Sequence, residues 1–135
     1  MKTLTLAATI DNIPAVTAFI DEALEALDCG IKPQMQIDVA VDELFSNIAS
    51  YAYAPGVGEA EVSLDFDEAD RTVSITFADS GVPYDPLAKA DPDVTLSAEE
   101  REIGGLGIFL VKKTMDAVEY ARRDGRNVLT IRKRI

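Results

Sequence analysis

Residues 102 to 113 read Glu-Ile-Gly-Gly-Leu-Gly-Ile-Phe-Leu-Val-Lys-Lys, a glycine-rich turn that runs straight into an apolar helix bearing two lysines. Gly104, Gly105 and Gly107 lack the side chains that would hold a backbone away from a ligand, and glycine tolerates positive φ. A helix that starts there points unpaired N–H groups into the gap, which favours anions and phosphate above all. A Gly-rich hinge before a surface helix would look the same. Lys112 and Lys113 could reach back toward a phosphate or stand in solvent. The remainder of the chain has to separate these readings.

The length, 135 residues, fits one domain over 1–135, with enough core to need no disulfide or metal. Lys and Arg total 13 against 24 for Asp and Glu, a net charge of −11. That disfavours direct nucleic-acid binding and anionic membranes, so a polyanion would need local donors and a cation. Cys29 is the only cysteine and there is no histidine. Intrachain disulfides, cysteine-cluster zinc sites, Ser-His-Asp triads and a histidine phospho-acceptor within this chain are excluded together. No signal-peptide pattern and no membrane-length apolar run occurs, so a reducing cytoplasm is the expected compartment.

Residues 3 to 9 alternate over their first half and predict a strand. Asp11 or Asn12 can cap a first helix with Pro14 in its first turn, and Ile13, Val16, Phe19, Ile20, Ala23, Leu24 and Leu27 recur at helical spacing. Gly30 is expected as its left-handed C-terminal cap. Lys32-Pro33 opens a second helix with Ile37, Val41, Leu44, Phe45, Ile48 and Ala52 on one stripe, until Pro55-Gly56 breaks it. Strands near 60–66 and 72–77 form a hairpin across a polar turn. Residues 79 to 107 are aperiodic, and a connection that long is usually functional or mobile. A third helix then runs to about Met115, followed by a closing hairpin turning at Asp124-Gly125. The order β-α-α-β-β-loop-α-β-β predicts an α+β fold, a two-layer sandwich with helices on one face of a mixed or antiparallel sheet.

Three constellations sit at the ends of these elements. Glu43 and Asn47 lie at i and i+4 on the second helix, a spacing that can set a base beside an oxygen ligand for Mg²⁺, although such pairs are commonplace on solvated faces. Asp79-Ser80-Gly81 follows a hydrophobic strand, where the carboxylate could accept from an exocyclic amine such as adenine's and Gly81 could let a flat ring approach. The same residues also make an ordinary turn. The Gly-rich turn matches neither the dinucleotide fingerprint nor a Walker A loop, so a third kind of nucleotide site is required.

Taken in order, Glu43-Leu-Phe-Ser-Asn47 with Tyr51-Ala-Tyr53, then Asp79 to Pro86, then Gly104 to Asp116 resemble the three nucleotide-binding boxes of the GHKL ATPases. That superfamily joins DNA gyrase, heat-shock chaperones of the ninety-kilodalton class, histidine kinases and MutL through the Bergerat fold. Within it, the short length, the Tyr-Ala-Tyr ending and the Gly-Gly-Leu-Gly-Ile-Phe-Leu wording look most like the RsbW-type anti-sigma-factor serine kinases.

The resemblance implies ATP and Mg²⁺ as cofactors. It makes Asn47 the Mg²⁺ ligand, Glu43 the general base and Asp79 the partner of the adenine amino group, with Gly81 beneath the ring. Gly105 and Gly107 would close over the phosphates, residues 87 to 104 would form a lid, and Thr130 would touch adenine through water. Arg101 is the lid's only arginine. The implied function is an ATP-dependent serine/threonine-protein kinase that holds a sigma factor inactive and phosphorylates its antagonist. A nucleotide-gated binding module with little or no kinase activity is the alternative, and a phosphorelay part acting on a histidine in trans is a third. Pairing of two copies through the first strand and first helix is left open.

Overall fold

A computed structural model describes residues 1–88 and 105–135 of the chain. Five strands, β1 (Lys2–Ala7), β2 (Glu59–Asp67), β3 (Thr72–Asp79), β4 (Ala117–Arg123) and β5 (Arg126–Arg134), form one sheet in the order β1-β2-β3-β5-β4. Every neighbouring pair is antiparallel, which resolves the choice between a mixed and an antiparallel sheet. Among the described residues three α-helices accompany the sheet: α1 (Ile13–Ala26), α2 (Ile31–Asn47) and α3 (Gly105–Thr114). Elements come in the predicted order.

Alternation along the strands explains why the helices share a face. Val62 and Leu64 of β2, Val73, Ile75 and Phe77 of β3, and Leu129 and Ile131 of β5 are buried in phase with one another. Val16, Ile20 and Leu24 of α1, Ile37, Val41, Leu44 and Phe45 of α2, and Ile108 and Val111 of α3 close the same core. Burying a side chain of this size contributes about 1.5–3 kcal/mol, so the two-layer arrangement rests on this one layer of contacts.

Some ends differ from the sequence reading. Gly30 is not the left-handed cap of α1: it is extended (φ −66°, ψ 159°) and precedes α2, while Asp28 takes the positive φ of 56°. Aspartate tolerates that region, and the Cys29 N–H donating to Leu24 O (3.1 Å) closes the turn. Asn12 does not cap α1 through its side chain, whose Nδ2 instead donates to Ala7 O at 2.8 Å. Past Asn47 the second helix widens into a π-helical turn, Ile48–Ala52, a distortion frequent at functional sites. At the β4–β5 turn Asp124 and Gly125 both have positive φ (51° and 76°), the geometry of a tight hairpin.

Candidate functional site

A pocket lies between the C-terminal end of α2 and the adjoining ends of β3 and β5. Leu44, Asn47, Ile48 and Ala52 line it from the helix, Phe77, Asp79, Asn127 and Leu129 from the sheet, with Tyr84, Pro86 and Tyr120 around them. Most of this lining is apolar. The polar groups are few and converge, as in sites for flat organic ligands.

Asp79, 4% exposed, is the last residue of β3 and stands across from Asn127 in the β3–β5 register. Its Oδ1 accepts from the Gly81 N–H and from Asn127 Nδ2, both at 2.9 Å. Two donors on one oxygen hold the carboxylate in a fixed orientation in a buried place. Asn127 is the hub beneath it: Nδ2 also donates to Val82 O (2.8 Å), and Oδ1 accepts from Tyr120 OH (2.6 Å) and Tyr84 N–H (3.2 Å). The sequence reading missed this residue, although Asn127 shares the parity of the buried Leu129 and Ile131.

Thr130 requires a correction. It sits one residue out of phase with Leu129 and Ile131, and its Oγ1 lies 3.1 Å from that of Thr76. Period-two alternation therefore places it on the sheet face away from the pocket, so an adenine contact from Thr130 does not fit this geometry. Gly81 differs too: it is outside the pocket lining, and a Cβ there would overlap the Ala52 carbonyl. Its bare backbone lets the loop after β3 press against the end of α2. The Val82 N–H to Ala52 O bond (2.9 Å) and the Ser80 N–H to Tyr53 OH bond (2.8 Å) fasten that junction.

Asn47 lines the pocket from α2, and its buried Nδ2 has no hydrogen-bond partner. A buried unpaired amide is costly unless a ligand satisfies it. Because the two ends of a carboxamide are assigned from their partners, the observation is an amide awaiting polar atoms in the pocket. Among the described residues no group of three or more His, Cys, Asp or Glu could hold a metal. The donor set fits Mg²⁺ carried by phosphates and water with one amide ligand, and does not fit an all-protein cage.

Glu43, one turn before Asn47, is half-buried and its carboxyl is raised above the usual glutamate range. Burial is the main cause and the Asp42 charge adds to it, while the neighbouring Asn47 amide, which makes no hydrogen bond of normal geometry with it, pulls the other way. A Cβ on Gly107 would overlap the Glu43 carboxylate, so the first turn of α3 approaches this side chain as only glycine permits. Gly105 is the first residue of α3. Gly107 belongs to that helix rather than to the loop before it. The Lys113 Nζ lies 5.5 Å from the Phe109 ring centroid, and Lys112 borders a groove with Leu87 and Asp116. Neither lysine lines the Asn47–Asp79 pocket. Gly104, Arg101 and nearly all of the expected lid lie outside the described residues.

A family model described as a histidine kinase-like ATPase domain matches residues 6–133. The chain belongs to that family. The serine/threonine-protein kinase BtrW of Bordetella bronchiseptica is 37% identical over 95 residues, which cover 70% of this chain and 66% of that protein. The serine-protein kinase RsbW of Bacillus cereus is 30% identical over 95 residues, covering 67% of this chain and 58% of that protein. The matched stretch thus spans less than two thirds of either relative. A chain of the SiaB–SiaC complex crystal structure from Pseudomonas aeruginosa shares the fold, with a TM-score of 0.61 at 20% identity, over 98% of this chain and 89% of that one. Among the described residues no helix is long and apolar enough to cross a membrane.

Proposed function

We propose that the chain is an ATP- and Mg²⁺-dependent protein serine/threonine kinase that also acts as an anti-sigma factor and phosphorylates that factor's antagonist in the cytoplasm. The observation that carries the reading is a half-buried base candidate, Glu43, one turn from the Asn47 amide, whose buried Nδ2 lacks a hydrogen bond, at the edge of a pocket based on Asp79. The names of the relatives, serine and serine/threonine kinases, support the chemistry. A carboxylate at position 43, beside the pocket, favours it over a module that only binds.

In this account Asp79 Oδ2 accepts from the adenine amino group, since Oδ1 already has two donors, and Phe77 and Leu129 flank the ring. Asn47 would hold Mg²⁺ through its amide oxygen. A metal held there would neutralise phosphate charge. Glu43 takes the proton of the acceptor serine as its oxygen attacks the γ-phosphorus and ADP leaves, a transfer that depends on positioning more than on covalent chemistry. A carboxylate whose burial raises its proton affinity is a better base at neutral pH than an exposed one.

Incubation with γ-labelled ATP and fractionated extract should move label onto serine or threonine of an acceptor protein. Glu43→Ala should reduce the transfer about 100-fold or more while ATP binding is retained. An acceptor that binds tightly yet receives no label would remove the kinase assignment and leave the nucleotide-gated binding module.

A further inference from the structure

α2 carries two apolar stripes, and the core uses only one. Ile37, Val41, Leu44 and Phe45 face inward, whereas Ile31, Met35 and Val39 are 80%, 63% and 55% exposed. These three stand four residues apart and so form one ridge along the helix surface. The next two steps of the same ridge are Glu43 and Asn47. The other large exposed apolar residues described, such as Met1, Ile10 and Val57, come from separate elements and need no explanation. An aligned ridge that runs into a base candidate does.

We infer that the Ile31–Met35–Val39 ridge docks the protein substrate of Glu43: a folded protein that presents an apolar patch beside its acceptor serine. This inference rests on the kinase reading above. The acceptor oxygen must come within about 3 Å of the Glu43 carboxylate. Val39 precedes Glu43 by one turn, about 6 Å along the axis, and Ile31 by about 18 Å. A folded protein with its serine at Glu43 therefore overhangs its surroundings on this scale. On one side the nucleotide pocket begins at Asn47, and on another Gly107 closes against the carboxylate. Back along α2, the surface is apolar and exposed among the described residues, with Lys32 and Asp42 as charged neighbours. An apolar centre with a charged rim is the composition of a protein-binding patch, and methionine is enriched in such centres. A short serine peptide could reach Glu43 without covering the ridge. The surface thus selects a folded acceptor over an isolated sequence motif.

The test uses the acceptor protein found by γ-labelling and a short synthetic peptide spanning its phosphorylated serine. Met35→Gln combined with Val39→Gln keeps good helix formers at exposed positions and adds no charge. The double variant should raise KM for the acceptor protein at least tenfold, with kcat, ATP affinity and peptide phosphorylation unchanged within about twofold. An unchanged KM overturns the docking site alone. A dimer converted to monomer in light scattering assigns the ridge to a second copy, and an altered ATP affinity assigns it to residues 89–104 of the same chain; either overturns the inference. Absence of transfer by the wild type, to any protein, overturns the kinase reading and this inference with it.

Discussion

Glu43 owes its raised proton affinity to burial first and to the neighbouring Asp42 second, and the nearby Asn47 amide only partly offsets them. If Glu43 is the base, the acid limb of kcat/KM reports its deprotonation and lies above the ordinary carboxylate range. Asp42→Asn removes a repelling charge at an exposed position, so the limb should move to lower pH, with the plateau rate kept within about twofold. A limb at the same pH in both proteins would separate Glu43 from the titration. Single residues were also where the sequence was hardest to read. Glu43, Asn47 and Asp79 stood out because motif spacing and strand ends mark them. The resemblance points to Thr130 against that residue's own alternation: Leu129 and Ile131 point to the core, so Thr130 does not. Asn127 carried the opposite signal, a polar residue in the buried phase, and its meaning became visible only with the register that places it across from Asp79.

At the scale of elements, α1 and α2 meet over a pair of carboxyls. Asp38 on α2 is raised to about 7, through burial first, then its hydrogen bond with Asp21 of α1, then the charges of Asp21 and Glu25. The folded state therefore keeps a proton on Asp38 that the unfolded chain, near its ordinary value of 3.8, has already released. Between those values unfolding releases a proton, so stability falls as pH rises from about 4 to about 7 and stays lower above it. Solvent around a partly exposed carboxyl screens much of this, leaving roughly 1 kcal/mol. Asp38→Asn supplies a neutral donor to Asp21 at every pH, so its urea midpoint should exceed the wild type's at pH 8 and approach it at pH 5. Parallel curves for the two proteins would refute the proton-sharing pair. The elements themselves were legible because periodicity marks α1, α2 and the first three strands, and the Asp124-Gly125 turn marks the closing hairpin. Their ends were less so: at Asp28 and Gly30, two residues that both suit a left-handed turn compete, and the backbone of the α1–α2 connection decides between them.

For the whole molecule, the antiparallel sheet brings the ends of β3 and β5 together, and the helix layer lays the end of α2 over them. Residues 47, 79 and 127, far apart in sequence, thereby line one pocket. A chain with a net charge of −11 gives a polyanion no general attraction, so its affinity for a nucleotide has to come from these few fixed groups and a cation. Isothermal titration of the chain with Mg-ATP, beside the Asp79→Ala variant, tests this most directly. The account predicts saturable one-site binding by the wild type and at least a tenfold weaker affinity in Asp79→Ala, with the fold intact by circular dichroism. No binding by the wild type, or equal affinity in both proteins, would contradict it.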